Sequence, residues 1–185
     1  MKDLRWTILE STSVFKDTWF NVRKETCRKP DGTIVSPYYV YDFPTWVTVF
    51  AVTKEQQAVM IKQYRHAIGE VSMEIPGGCV DDEDENLEQA ARRELLEETG
   101  YSFEKLHYLG KTSPNPSTNS NWMHMFLATG GEKTSEQQLD ANEEIEVLLH
   151  DINTVKQLLK EQKIIQAMHV TCIYYAIEKL NELKI

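Results

Sequence analysis

The segment Ala91–Tyr101, ARRELLEETGY, sets Glu94, Glu97 and Glu98 at spacings of three and four in a chain of formal net charge -9. On one turn-and-a-half of helix these spacings bring side chains together, and like charges at i,i+4 repel by only a few tenths of a kcal/mol when solvated. Burial changes the scale, because a half-buried carboxylate without a partner costs several kcal/mol or takes up a proton. A divalent cation removes that penalty, and carboxylate oxygens are its natural hard ligands. The chemistry on offer is therefore cation binding, with the cations standing between an acidic protein and an anionic ligand.

The element that must present these residues is a helix over 87–99. Asn86 with Gln89 three residues later has the form of a capping box, no Pro or Gly interrupts before Thr99, and Gly100 is placed to close the helix. On a helical wheel Glu98 falls between Leu87 and Ala91, with Glu94 beside them, so both lie on or at the edge of the face the helix buries. An arbitrary pair of adjacent glutamates is ordinarily solvated decoration, and a solvated stripe would sit opposite. The preceding loop, PGGCVDDEDE, offers two glycines for close backbone approach and an acidic run leading into the helix.

Around this helix the pattern alternates. WTILES and WFNVRKETC, with the turn KPDGT before IVSPYYVYDF, predict a strand hairpin. Trp46–Val52 and Ala58–Gln63 predict two core strands, LHYLGK, NWMHMFLAT and EIEVLLH three more, and residues 153–183 read as helix with a break near Lys163. A sheet packed between helices follows.

Composition excludes several classes. With 185 residues, 41% hydrophobic and 26% charged, the chain fits one compact domain with a small appendage. Asp+Glu 29 against Lys+Arg 20, with no basic cluster, argues against nucleic acid. No apolar run approaches the roughly 18 residues of a membrane span, and the N-terminus lacks the apolar stretch of a secretory signal, so no membrane association and a cytoplasmic location are expected. Cys27, Cys79 and Cys172 lie far apart, which favours reduced structural thiols. The five histidines share no ligand spacing and receive no role.

The acidic helix resembles the signature of the Nudix hydrolases, G-x5-E-x7-R-E-U-x-E-E-x-G-U with U aliphatic. Glu85, then seven residues, then Arg93-Glu94-Leu95-Leu96-Glu97-Glu98-Thr99-Gly100 match it. Six residues rather than five separate Gly78 from Glu85, implying a one-residue bulge, and Tyr101 replaces the usual aliphatic. QYRHAIGEVSMEIPGG, Pro116 and DANEEIEVLLH are similar to the outer motifs of ADP-ribose pyrophosphatases and related nucleotide-sugar hydrolases.

The resemblance implies an α/β (α+β) fold: a Nudix-type α/β/α sandwich with a mixed sheet over residues 46–185, preceded by a small N-terminal antiparallel β-sheet over 1–45 that pairs across a homodimer. It implies Mg2+ (or Mn2+) held by Glu94 and Glu98, with Glu97 and the Gly78 carbonyl assisting, and Arg93 orienting the glutamates. Glu143 or Glu144 would be the general base, with Glu85 as fallback. Arg65 and Glu74 match positions that contact the nucleotide or its diphosphate, though a surface ion pair would explain the same two residues. Trp46 or Tyr41 would stack on the base, although ordinary packing explains them too, and Pro116 falls where the subgroup has a substrate-side proline. The implied reaction is hydrolysis of the diphosphate bond of a nucleoside diphosphate linked to another moiety, ADP-ribose first, giving AMP and ribose 5-phosphate. Other nucleotide sugars such as GDP-mannose follow, then a non-catalytic nucleotide sensor, against which the intact glutamates argue, and prenyl diphosphate isomerisation, for which the signature is usually degraded.

Overall fold

A computed structural model describes residues 3–184. The chain divides into two compact units, one formed by the chain up to Pro44 with Ser113–Trp122, the other by Thr45–Thr112 with the chain from Met123 onward.

The first unit is a three-stranded antiparallel sheet of β1 (Thr7–Lys16), β2 (Asn21–Arg28) and β3 (Ile34–Asp42) in sequence order. Gly32, at φ 89°, makes the β2–β3 turn, where its N–H reaches the Lys29 carbonyl at 2.9 Å. The 113–122 loop joins this sheet through Tyr41 N–H to Thr118 O (2.7 Å) and Ser120 N–H to Tyr41 O (3.0 Å). Every residue of β1 is exposed, including Ile8, Leu9, Val14 and Phe15.

The second unit carries a six-stranded mixed sheet in the order β6-β5-β4-β8-β7, with β9 also pairing β5. Its strands are β4 (Trp46–Thr53), β5 (Gln57–Arg65), β6 (Glu70–Glu74), β7 (Tyr101–Thr112), β8 (Met123–Lys133) and β9 (Ile145–Asp151). β4 and β8 run parallel and the remaining pairs antiparallel. β6 has no counterpart in the sequence reading, since its polar–apolar alternation, EVSME, runs for only five residues.

Both faces of the sheet are covered, which is why β4 reads as a continuous apolar run rather than an alternating one. Val47, Val49 and Ala51 pack with Ala90, Ala91 and Leu95 of α1 (Leu87–Thr99). Phe50 and Val52 pack on the opposite side with Val155 of α2 (Ile152–Lys160) and Ile173 and Ala176 of α3 (Ala167–Leu183). α1 has the predicted limits: the Asn86 side chain accepts from Gln89 N–H at 3.0 Å, and Gly100, at φ 76°, returns its N–H to Leu96 O at 2.8 Å. The capping box is incomplete, because Gln89 Oε1 accepts from Glu85 N–H rather than from Asn86.

β4 and β5 pair only at Ala51↔Val59 and Val52↔Ala58, then part. The edge of β4 thus freed would leave N–H groups unsatisfied, and the loop after β6 fills it: Val49 N–H donates to Pro76 O and Val47 N–H to Gly78 O, both at 2.9 Å. That replacement draws the glycine loop against the sheet, facing α1. Among the described residues no helix is long and apolar enough to cross a membrane.

Candidate active site

Gly77 and Gly78 are glycines for steric reasons. Gly77 sits at φ 151°, and a Cβ there would lie 2.3 Å from Val47 O; a Cβ on Gly78 would lie 2.6 Å from Glu94 Oε1. The bare backbone lets two glutamates of α1 close on the loop. Gly77 N–H donates to Glu98 Oε2 at 2.8 Å, and the Glu94 carboxylate packs against the Gly78 α-carbon.

Both carboxylates are buried, Glu98 at 3% exposure and Glu94 at 9%. Burial pushes Glu94 up to about 7; Arg93 partly offsets this, while Glu97 and Glu143 add to it. Burial likewise pushes Glu98 well above the usual carboxylate range, opposed by the Gly77 N–H and reinforced by the charges of Glu94 and Glu143. Two carboxyl groups whose charged forms are only partly supported by the protein thus sit together on one side of α1.

Arg93 ties the region together. Its Nη1 donates to Glu94 Oε1 and Glu97 Oε2, both at 3.0 Å, and its Nη2 donates to Asp84 Oδ2 (2.9 Å) and the Cys79 carbonyl (2.8 Å). Asp81 joins at 3.2 Å. The guanidinium fork therefore fixes the acidic loop to the helix. It holds Asp84 below the usual carboxylate range, overcoming burial.

A cleft of about 390 Å³ opens beside the two glycines, lined by Trp46, Val47, Met123, Met168, Arg65 and His169 among others. Trp46 Nε1 donates to Cys79 Sγ at 3.1 Å, which sets the indole against the loop. Arg65 grips Glu74 through both oxygens, Nε to Oε1 at 2.9 Å and Nη2 to Oε2 at 2.6 Å. Glu74 is 1% exposed, and although burial raises its pKa, the Arg65 bonds prevail and hold it below the ordinary value. The pair is not the surface ion pair that two such residues suggest in sequence.

The NUDIX domain model matches residues 43–169, and the model of a nucleoside diphosphate sugar hydrolase N-terminal domain matches residues 6–41. The chain belongs to the Nudix domain family. It is a Nudix hydrolase acting on nucleoside-diphosphate-linked compounds. It is 29% identical over 176 residues to the ADP-ribose pyrophosphatase of Bacillus subtilis (strain 168), covering 95% of this chain and 94% of the relative. It is 27% identical over 168 residues to the methanol dehydrogenase activator of Bacillus methanolicus, covering 90% of each. The crystal structure of an ADP compounds hydrolase superposes with a TM-score of 0.84 over 99% of this chain and 98% of that one, at 23% identity, and shares its fold.

For this Nudix chain the residues singled out from the sequence fall into three groups. Glu94, Glu97, Glu98, Arg93 and Gly78 come together as described. Arg65 and Trp46 line the cleft, with Glu74 buried behind Arg65. In the late loop Glu143 is half-buried and Glu144 exposed, and the charge of Glu143 bears on Glu94, Glu98 and Arg65. Pro116 stands exposed in the 113–122 loop of the first unit, as does Tyr41 on β3. Glu85 is exposed at the foot of α1.

The donor set fits hard divalent cations: two buried carboxylates whose charge the protein meets only in part, facing a backbone a Cβ would fill. Among the described residues no three His, Cys, Asp or Glu side chains form a closed cage by themselves. Glu97 is turned to Arg93, and the Gly78 carbonyl already accepts from Val47 N–H, leaving one lone pair. Sequence reasoning missed Asp84 and Asp81 as partners of Arg93, and His169 altogether. The acidic run gave a signal for the aspartates; a single histidine on an apolar helical stripe gave none.

Proposed function

We propose that the chain hydrolyses ADP-ribose to AMP and ribose 5-phosphate, with Glu94 and Glu98, assisted by Glu97 and the Gly78 carbonyl, holding Mg2+ (or Mn2+). The observation that carries this reading is the pair of buried carboxylates facing the glycine loop, whose burial Arg93 and the Gly77 N–H only partly offset. The name of the Bacillus subtilis relative supports the choice of substrate.

When bound, the divalent cations neutralise the diphosphate and acidify a water molecule. The protein does the rest. Arg65, with a guanidinium amino group that has no partner among the described residues, binds a diphosphate oxygen. Trp46, Met123 and Met168 give the cleft its apolar surface against a base or sugar face. Glu143, rather than Glu144, takes the proton of the attacking water, because its charge already acts on the carboxylate pair. The water oxygen bonds to one phosphorus, the bridging P–O bond breaks, and each product leaves with one phosphate. Arg93 keeps Glu94 and Glu97 in place.

In this reading residues 46–185 form the catalytic domain and residues 1–45 a dimerisation sheet, whose exposed Ile8, Leu9, Phe15 and Trp19 supply the apolar surface for a homodimer.

The test is a panel of ADP-ribose, other ADP- and GDP-sugars including GDP-mannose, dinucleoside polyphosphates and NADH, each with Mg2+ or Mn2+, scored for released phosphomonoester. ADP-ribose should be cleaved fastest. A sugar nucleotide with another base outpacing it would displace the assignment.

A further inference from the structure

His169 lies in the first turn of α3 with its ring 5% exposed. Its Nδ1 is sealed from solvent, has no hydrogen-bond partner among the described residues, and faces Glu74 Oε2 at 3.6 Å. That separation is too long for a hydrogen bond and too short to ignore. Burial pushes the imidazole down to about 4, with Glu74 opposing and Arg65 reinforcing the shift, so the ring is neutral at physiological pH. A neutral ring has one N–H and one bare nitrogen. A bare Nδ1 would turn its lone pair on a carboxylate oxygen in a dry interior, which is repulsive; a protonated Nδ1 aims an N–H at the same oxygen.

Glu74 thus has two neighbours that can donate to it. Arg65 occupies both of its oxygens, and His169 Nδ1 stands 3.6 Å from Oε2. Arg65 is 44% exposed, its Nη1 has no partner among the described residues, and it lines the cleft beside Gly77 and Gly78. We propose that His169 is a positioning residue for substrate binding: carrying its proton on Nδ1, it steadies Glu74 and, through Glu74, holds the Arg65 guanidinium so that Nη1 is presented to the diphosphate. This rests on the reading of Arg65 as a diphosphate-binding residue. When phosphate oxygens draw Arg65 toward the cleft, Glu74 closes on the Nδ1–H and the buried carboxylate is not left unpaired.

Two measurements test it. Nitrogen-15 correlation spectra of the imidazole groups in the substrate-free protein, with the His169→Asn spectrum assigning the signal, should show His169 neutral with its proton on Nδ1. A bare Nδ1 overturns the proposal, and this readout needs no turnover.

With ADP-ribose, His169→Leu should raise KM roughly tenfold, the size expected when a hydrogen bond to a charged group is lost, with kcat changed less than about twofold. His169→Asn, whose amide nitrogen takes the place of Nδ1, should return KM to within about threefold of the wild type. A merely structural histidine would not distinguish the two replacements, so equal behaviour of Leu and Asn, or a fall in kcat at unchanged KM, overturns the proposal. If His169→Leu does not fold, the Asn kinetics and the tautomer decide. A wild-type protein inactive on ADP-ribose would refute the substrate reading, and the tautomer would still give its own answer.

Discussion

Glu74 and Glu98 are buried to nearly the same degree, 1% and 3% exposed, yet their acidities move in opposite directions. Glu74 is gripped by both prongs of Arg65 and kept ionised. Glu98 receives one backbone N–H and has Glu94 and Glu143 as negative neighbours. Burial alone therefore says little about what a carboxylate is for. Glu74 is complete within the protein, whereas Glu98 and Glu94 form a site whose electrostatics are finished only by something positive from outside.

The largest expected break in that contrast is catalytic. Glu98→Gln should lower kcat on ADP-ribose by more than the roughly hundredfold typical of losing an outer partner of a metal ligand, while Glu144→Gln, at an exposed position, should stay within about threefold of the wild type; steady-state kinetics with Mg2+ check both. Next comes stability. Arg65→Met strands Glu74 in the interior and should cost about 3–5 kcal/mol in denaturant unfolding. Glu74→Gln leaves Arg65 able to reach water and should cost less.

Glu98→Gln in metal-free protein should do the reverse and raise the melting temperature by a few degrees, because it replaces a carboxyl group whose charged form burial disfavours and the Gly77 N–H only partly supports. Added Mg2+ should stabilise the wild type by mass action and the variant little. A wild-type melting temperature indifferent to Mg2+ would remove the distinction between the two carboxylates.

How far the sequence reaches follows the same divide. The limits of α1, the buried side of Glu94 and Glu98 and the two covered sheet faces were legible because capping residues and apolar periodicity are local signals. What brings Gly78 onto Glu94 is not local: β5 leaves β4 after two residue pairs, and a loop some thirty positions downstream takes the vacant edge. His169 was illegible for a related reason. Its partners, Arg65 and Glu74, lie about a hundred positions upstream, and only the packing of α3 against the sheet brings the three together.

A further predicted effect concerns pH. The folded-state pKa of His169, about 4, lies below its ordinary value near 6.5, so the unfolded chain takes up the proton first. Its contribution to stability is complete above about pH 6.5 and is lost as pH falls through about 4, up to roughly 3 kcal/mol. Glu94, raised to about 7, acts in the opposite sense as pH falls through that value, and Glu98, raised well above the usual carboxylate range, shares its sign. The comparison to make is therefore between wild type and His169→Asn: on acidification from about pH 6.5 to 4 the wild type should lose unfolding free energy relative to the variant.

The most direct test of the central claim is a titration of Mn2+ into wild type and Glu98→Gln, followed by the electron paramagnetic resonance of the free ion. The wild type should bind the ion and the variant should bind it at least about tenfold more weakly. Equal binding by both would mean that the buried carboxylates of α1 are not there to hold a cation.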